Sequence, residues 1–90
     1  MRIVDHYESR LPALINLVRP CVAFAFVGHC FYRNSRESCR PEWVNHEHIH
    51  CYQMKEQGLV AFFRNYEKNE NEARRHENDP GYISGRWPDL

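Results

Sequence analysis

The sequence predicts an α+β domain, and three observations carry that prediction. A short run rich in β-branched and aromatic residues, Val22 to Val27, reads as a strand. A long segment opens on Pro41 and closes at Gly58, the residue types that start and stop helices. A further segment with apolar residues at helical spacing then runs to an Asp79-Pro80-Gly81 turn signal. The chain has 90 residues and reads as one domain, 1–90. A domain this short buries only roughly 60–65% of its unfolded surface. Its core is thin, and small domains of this kind often add a metal or disulfides.

Each element follows from local chemistry. Ile3, Val4, Tyr7, Leu11, Leu14, Ile15 and Val18 stand at near-helical spacing and predict an N-terminal helix. Pro12 limits it to one helix with a break, or a turn and then a short helix, and Arg19-Pro20 ends it. Gly28-His29 breaks the strand that follows, so Cys30 to Arg33 either continues as a bulged strand or returns as a hairpin. Asn34 to Arg40 is a polar loop. Pro41 at the first helical position, with Glu42 in the first turn, starts a helix running to about Gln57. A second helix is expected from about Leu59 to about Asn78. The tail, Tyr82 to Leu90, is expected to be pinned by Tyr82 or Trp87. There is no internal repeat and no low-complexity linker.

Charge and composition exclude several functions. Twelve Lys+Arg balance twelve Asp+Glu, and the pI is about 7.0. A dedicated nucleic-acid binder carries a basic excess, and a membrane-surface segment a polybasic one; this chain has neither. Its most apolar stretch, Leu11 to Val27, is interrupted by Pro12, Asn16, Arg19 and Pro20 and does not read as a membrane span. The start, Met1-Arg2-Ile3-Val4-Asp5, lacks the features of a signal peptide, so a cytoplasmic setting is expected. Cysteines stand at 21, 30, 39 and 51 without a Cys-x-x-Cys, and in that setting reduced thiols are expected. Cys21, beside Val22 and Phe24, reads as a small buried apolar residue. Six histidines are many for this length, and His46, His48 and His50 fall within five positions.

His46-Glu47-His48-Ile49-His50 contains His-Glu-x-x-His. A chance match in a chain of this composition has a probability of roughly 0.04. On a helix, residues four apart share a face, so His46 and His50 can bind one metal ion while Glu47 flanks it as a base. Trp43, Ile49, Gln53, Met54 and Gln57 lie within about 80° of His46 at 100° per residue, which puts the pair on the inward face. His48 points the other way and reads as solvated, as do His6 and His76. A catalytic zinc needs a third protein ligand and an open position. The next helix has its inward face marked by Leu59, Phe62, Phe63, Tyr66 and Ala73. Glu70 lies about 40° from Tyr66 on that face, whereas Glu72 lies on the polar side, about 120° away, with His76. A lone inward carboxylate is costly unless paired or metal-bound, so Glu70 is the candidate ligand and Glu72 the fallback. Glu77, also inward, could orient a histidine.

His-Glu-x-x-His followed by Glu70-Asn71-Glu72-Ala73 on a second helix resembles the gluzincin type of zinc metallopeptidase. With Asn45, Gln53, Glu56, Tyr66 and Arg74, the stretch is similar to short, largely uncharacterised metallopeptidase-like proteins of bacteria and their phages. The resemblance covers about residues 22–82. It implies a minimal zincin-like fold, with Zn2+ held by His46, His50 and Glu70 and with Glu47 as general base. It also implies that a strand before the metal helix, Val22–Val27 or Cys30–Arg33, pairs with an extended peptide substrate. Many gluzincins place Asp four residues after the ligand Glu to orient a histidine; here Arg74 stands there, so that role is vacant or passes to Glu77 or Asp79. For the donor that stabilises the oxyanion, Tyr82, Tyr66 and His29 are candidates. Two other readings compete. In one, His46 and His50 join Cys30 and Cys39 in a structural zinc module, although known fingers need a closer Cys pair. In the other, a catalytically degenerate domain acts as an interaction or accessory protein.

Overall fold

A computed structural model of the protein describes residues 2–12, 23–26 and 28–90. Its described elements are β1 (Val4–His6), β2 (Ala23–Phe26), β3 (His29–Tyr32), α1 (Pro41–Gln57), α2 (Leu59–Arg64), α3 (Tyr66–His76) and α4 (Tyr82–Arg86). The fold class is α+β: a three-stranded sheet of order β1–β3–β2 with the helices following it.

β2 and β3 form an antiparallel hairpin in which Phe26 faces His29 and Ala25 faces Cys30. Gly28, at φ +83°, supplies the left-handed backbone that the tight turn requires. β3 is therefore the return strand of a hairpin. It lies in the middle of the sheet, so of the two strands expected to receive a peptide only β2 stands at a margin among the described residues. β1 pairs with β3 in parallel, with Asp5 opposite Cys30. Residues 4–6 thus form a strand where a helix is expected. The spacing of Ile3, Val4 and Tyr7 suits either element, and pairing decides between them: the Val4 N–H donates to the Gly28 carbonyl at 2.8 Å, and Tyr7 stacks on Tyr32. Residues 13–18 of the expected helix, with Arg19, Pro20, Cys21 and Val22, lie outside the described residues.

α1 begins and ends where Pro41 and Gly58 predict. Gly58 adopts φ 82°, ψ 159°, a region that is essentially glycine's own, and its N–H closes the helix on the Met54 carbonyl at 2.8 Å. The single helix expected over 59–78 is instead two helices, joined at Asn65. At the joint the Phe62 carbonyl accepts the Asn69 side-chain amide at 3.0 Å, a bond that competes with the helical ladder. The break rotates the two halves out of one common face. Phe62 is buried, but Phe63, expected to point inward, is 54% exposed, and Leu59 is exposed too.

α1 lies between two apolar clusters. Ala25, Cys30, Tyr32, Cys51, Met54 and Phe62 form one, between the sheet and the first two helices. Ile49, Ala73 and Trp87 form the other, where α1 meets α3 and the tail. Trp87 pins the tail by stacking on Tyr52, and Tyr82 packs beside it. Among the described residues, no helix is long and apolar enough to cross a membrane.

A Cβ on residue 58 would meet nothing within 4 Å, so Gly58→Ala tests backbone strain alone. It is expected to destabilise the protein by about 1–3 kcal/mol in urea unfolding.

Candidate metal centre

Three helical side chains converge between α1 and α3. His46 Nε2 lies 2.9 Å from Glu70 Oε1, and His50 Nε2 lies 3.2 Å from Glu70 Oε2. The two Nε2 atoms are 3.1 Å apart. Four-residue spacing on α1 stacks the two imidazoles on one face. Gly58 and Asn65 turn the chain back so that α3 delivers Glu70 opposite them. Donors around a tetrahedral zinc at about 2.0–2.1 Å stand about 3.3 Å from one another. The spacings here depart from that by a few tenths of an ångström.

The hydrogen bonds around the rings decide which lone pairs face inward. Gln53 Nε2 donates to the Asn69 carbonyl at 2.9 Å and to Glu72 Oε1 at 2.7 Å. Both partners only accept, which fixes the amide orientation and leaves Gln53 Oε1 toward His50 Nδ1, 2.8 Å away. His50 must therefore carry its hydrogen on Nδ1 and donate it. His46 Nδ1 likewise faces an acceptor, Glu77 Oε2, at 3.1 Å. His46 Nε2 also faces an acceptor, Glu70 Oε1, so the contacts fix the tautomer of His50 alone; with His46 donating from Nδ1 to Glu77, both neutral rings present Nε2 lone pairs to each other and to the Glu70 carboxylate. Such a triad is repulsive without a cation, whether a proton or a metal ion. The donor set suits zinc: two imidazole nitrogens, one carboxylate and outer acceptors that orient each ring. His46 and Glu70 keep partial exposure, which leaves a side of the centre open.

A proton can meet the same need as a metal ion, and the electrostatics are those of rings that donate to the carboxylate. Bonds from His46 and His50 hold the Glu70 carboxyl well below the usual carboxylate range. Burial pulls His46 down, but Glu70, Glu47 and Glu77 outweigh it and leave the imidazole raised. Glu47 is 8% exposed, and burial pushes its carboxyl up against the opposing pull of His50 and His46.

Glu77 takes the orienting position that Arg74 leaves vacant. Arg74 instead pairs with Glu70 at 3.4 Å, and Asp79 offers its backbone carbonyl to Asn45. Asn45 Nδ2 also reaches the carbonyls of His76 and Glu77, closing the end of α3 onto α1. Glu72 is not on a solvated face. It is half-buried and accepts from Gln53 and from the Tyr82 hydroxyl, because α4 folds back over that side of α3. Burial raises the Glu72 carboxyl, but those two bonds and Arg86 outweigh it and leave it lowered. Tyr82 is pushed up to about 12 by burial and by Glu72, so its hydroxyl stays a donor. It connects to His50 through Glu72 and Gln53. Tyr66 stacks on the His50 ring, and His29 sits exposed on β3 with its Nδ1 3.2 Å from His6 Nε2.

Two of the histidines expected to be solvated are not. His48 is half-buried, with Nε2 2.8 Å from Asp5 Oδ1, and His76 stacks on Tyr82 at 3.7 Å. The finger reading fails on geometry. Among the described residues, His46 and His50 group with Glu70, whereas Cys30 groups with Asp5 and His48. The Cys39 thiol lies 3.9 Å from the Asn34 carbonyl. Cys30, Cys39 and Cys51 are free thiols. Gln53, Glu72 and Asn45 were not singled out as orienting groups by the sequence; the one available signal was Gln53's place on the inward face of α1.

No protein-family model matches the chain, and no curated protein or solved structure is significantly similar to it.

Replacing Gln53 with Leu keeps the side chain's bulk but frees the His50 tautomer. Zinc affinity is expected to fall about 10–100-fold in competition with a chromophoric chelator, while the helical circular-dichroism spectrum is retained.

Proposed function

We propose that this chain is a zinc-dependent hydrolase of peptide bonds, with zinc held by His46, His50 and Glu70 and with Glu47 as general base. The observation that supports it most directly is the convergence itself: both Nε2 atoms and the Glu70 carboxylate meet at one point, with the His50 ring held by Gln53 and the His46 ring by Glu77. When bound, zinc supplies a Lewis acid and a water whose pKa lies near about 7. Glu47 takes the proton at its carboxylate oxygen and delivers it to the leaving amine. Glu47 is buried next to His46 on α1, shielded from bulk water while it holds that proton. Glu77 and Gln53 keep the imidazoles aimed. Tyr82 acts on the centre as a positioning residue through Glu72, rather than as a catalytic one. β2 packs against α1 at the sheet margin, where an extended peptide can add as a strand.

A second reading keeps zinc as a staple without hydrolysis. It is supported by the position of the centre, which ties α1 to α3 in a domain with two small cores. One pair of variants separates the two. Glu70→Ala is expected to lose one zinc equivalent by elemental analysis. Glu47→Gln is expected to keep the wild-type zinc content and lose hydrolysis of a peptide library by about 10²–10⁴-fold. Wild-type protein that holds zinc and cleaves nothing in that library would leave the staple.

A further inference from the structure

A second set of metal-ligating side chains lies on the opposite side of α1. The ligand atoms of Asp5, Cys30 and His48 all stand within 4.8 Å of one another. The topology produces this grouping. Asp5 and Cys30 are partners across the parallel β1–β3 pair, so their side chains leave the same face of the sheet. Cys30 is fully buried in the cluster between sheet and helices, so that is the face α1 covers. His48 is two residues from both His46 and His50, about 200° round the helix from His46, and so points to the sheet. Its Nε2 lies 2.8 Å from Asp5 Oδ1. The buried Tyr32 hydroxyl donates to that same oxygen at 2.9 Å. Cys51, three residues after His48 on α1, brings another thiol, its Sγ 3.3 Å from that of Cys30.

We propose that Asp5, Cys30 and His48 form a second zinc site, distinct from the His46–His50–Glu70 centre, with Cys51 as the adjacent thiol donor. One thiolate, one imidazole and one carboxylate are a donor set for zinc and not for calcium or magnesium, which take oxygen ligands. Tyr32 orients the carboxylate from outside, as outer groups do at zinc sites. On binding, zinc displaces the Cys30 thiol proton to solvent, and the His48 hydrogen moves from Nε2 to Nδ1. Asp5 is 23% and His48 25% exposed, which gives an ion a way in. The site joins three elements far apart in sequence: β1, β3 and α1. β1 is only three residues long and gains most from such a tie.

Cobalt substitution tests the proposal directly. The His46–His50–Glu70 centre contains no sulfur, so a thiolate-to-cobalt charge-transfer band cannot come from it, and loss of the band in the Asp5 and His48 variants assigns it to the second site rather than to Cys21 or Cys39. Cobalt-loaded wild-type protein is expected to show that band and to take up two metal equivalents. Asp5→Asn and His48→Gln, at partly exposed positions that spare the core, are expected to lose the band and one equivalent. Glu70→Ala is expected to keep the band and lose the other equivalent, so failure of one site is distinguishable from failure of the other. Circular dichroism checks that each variant is folded. Fully loaded wild-type protein without a thiolate band would overturn the proposal. So would a band that survives both Asp5→Asn and His48→Gln unchanged.

Discussion

The side-chain amide of Gln53 has one orientation open to it, and much of the molecule depends on that. Its nitrogen is engaged by two groups that can only accept, the Asn69 carbonyl and the Glu72 carboxylate. Its oxygen must then face His50 and set that ring's tautomer. Because Gln53 is fully buried, none of these partners can be exchanged for water without a cost of about 1–3 kcal/mol each. The same amide therefore docks α3 on α1, aims one side of the proposed centre and, through Glu72 and Tyr82, seats the tail. Asn69 repeats the device one turn away, exchanging two hydrogen bonds with Gln57.

α1 works in two directions. On one side His46 and His50 meet Glu70 of α3, while on the other His48 and Cys51 turn to the sheet and meet Asp5 and Cys30. Glu47 lies between them, close enough to be felt by His46 and His50 on one side and by Cys30 and Cys51 on the other. With Glu47, His50 and Gln53 among its buried residues, the helix gives Cys51 and Met54 to one apolar cluster and Ile49 to the other. That fits the division of the apolar core into two small clusters flanking it.

How much of this could be read from the sequence depends on where each choice is made. The limits of α1 are legible because Pro41 and Gly58 act locally, on their own backbone. The convergence of His46, His50 and Glu70 is legible because helical spacing sets the first two and an inward carboxylate needs a reason. Glu77 was one of two acceptors the sequence offered for a histidine, and the end of α3 brings it rather than Asp79 to His46. β1 was not legible. The spacing of Ile3, Val4 and Tyr7 fits two elements, and the partner that decides, β3, lies about 25 residues away. Nor was the break at Asn65, which depends on the Asn69 side chain reaching back to Phe62. Glu72 was misplaced because a straight helix with nothing beyond it puts that residue in solvent. Gln53 and Tyr82, from other elements, enclose it.

The seam between α1 and α3 is mainly polar: Asn45, His46, His50, Gln53 and Gln57 meet Asn69, Glu70, Glu72 and Glu77, with Ile49 and Ala73 as its apolar contribution. Exposing polar surface lowers heat capacity and exposing apolar surface raises it. Detaching α3 from α1 therefore changes heat capacity far less, per unit area opened, than unfolding the cluster under the sheet. The two halves of this small protein respond differently to cold. Cooling weakens the apolar packing of Tyr32, Met54 and Phe62 more than it weakens the hydrogen-bonded seam that holds the proposed centre.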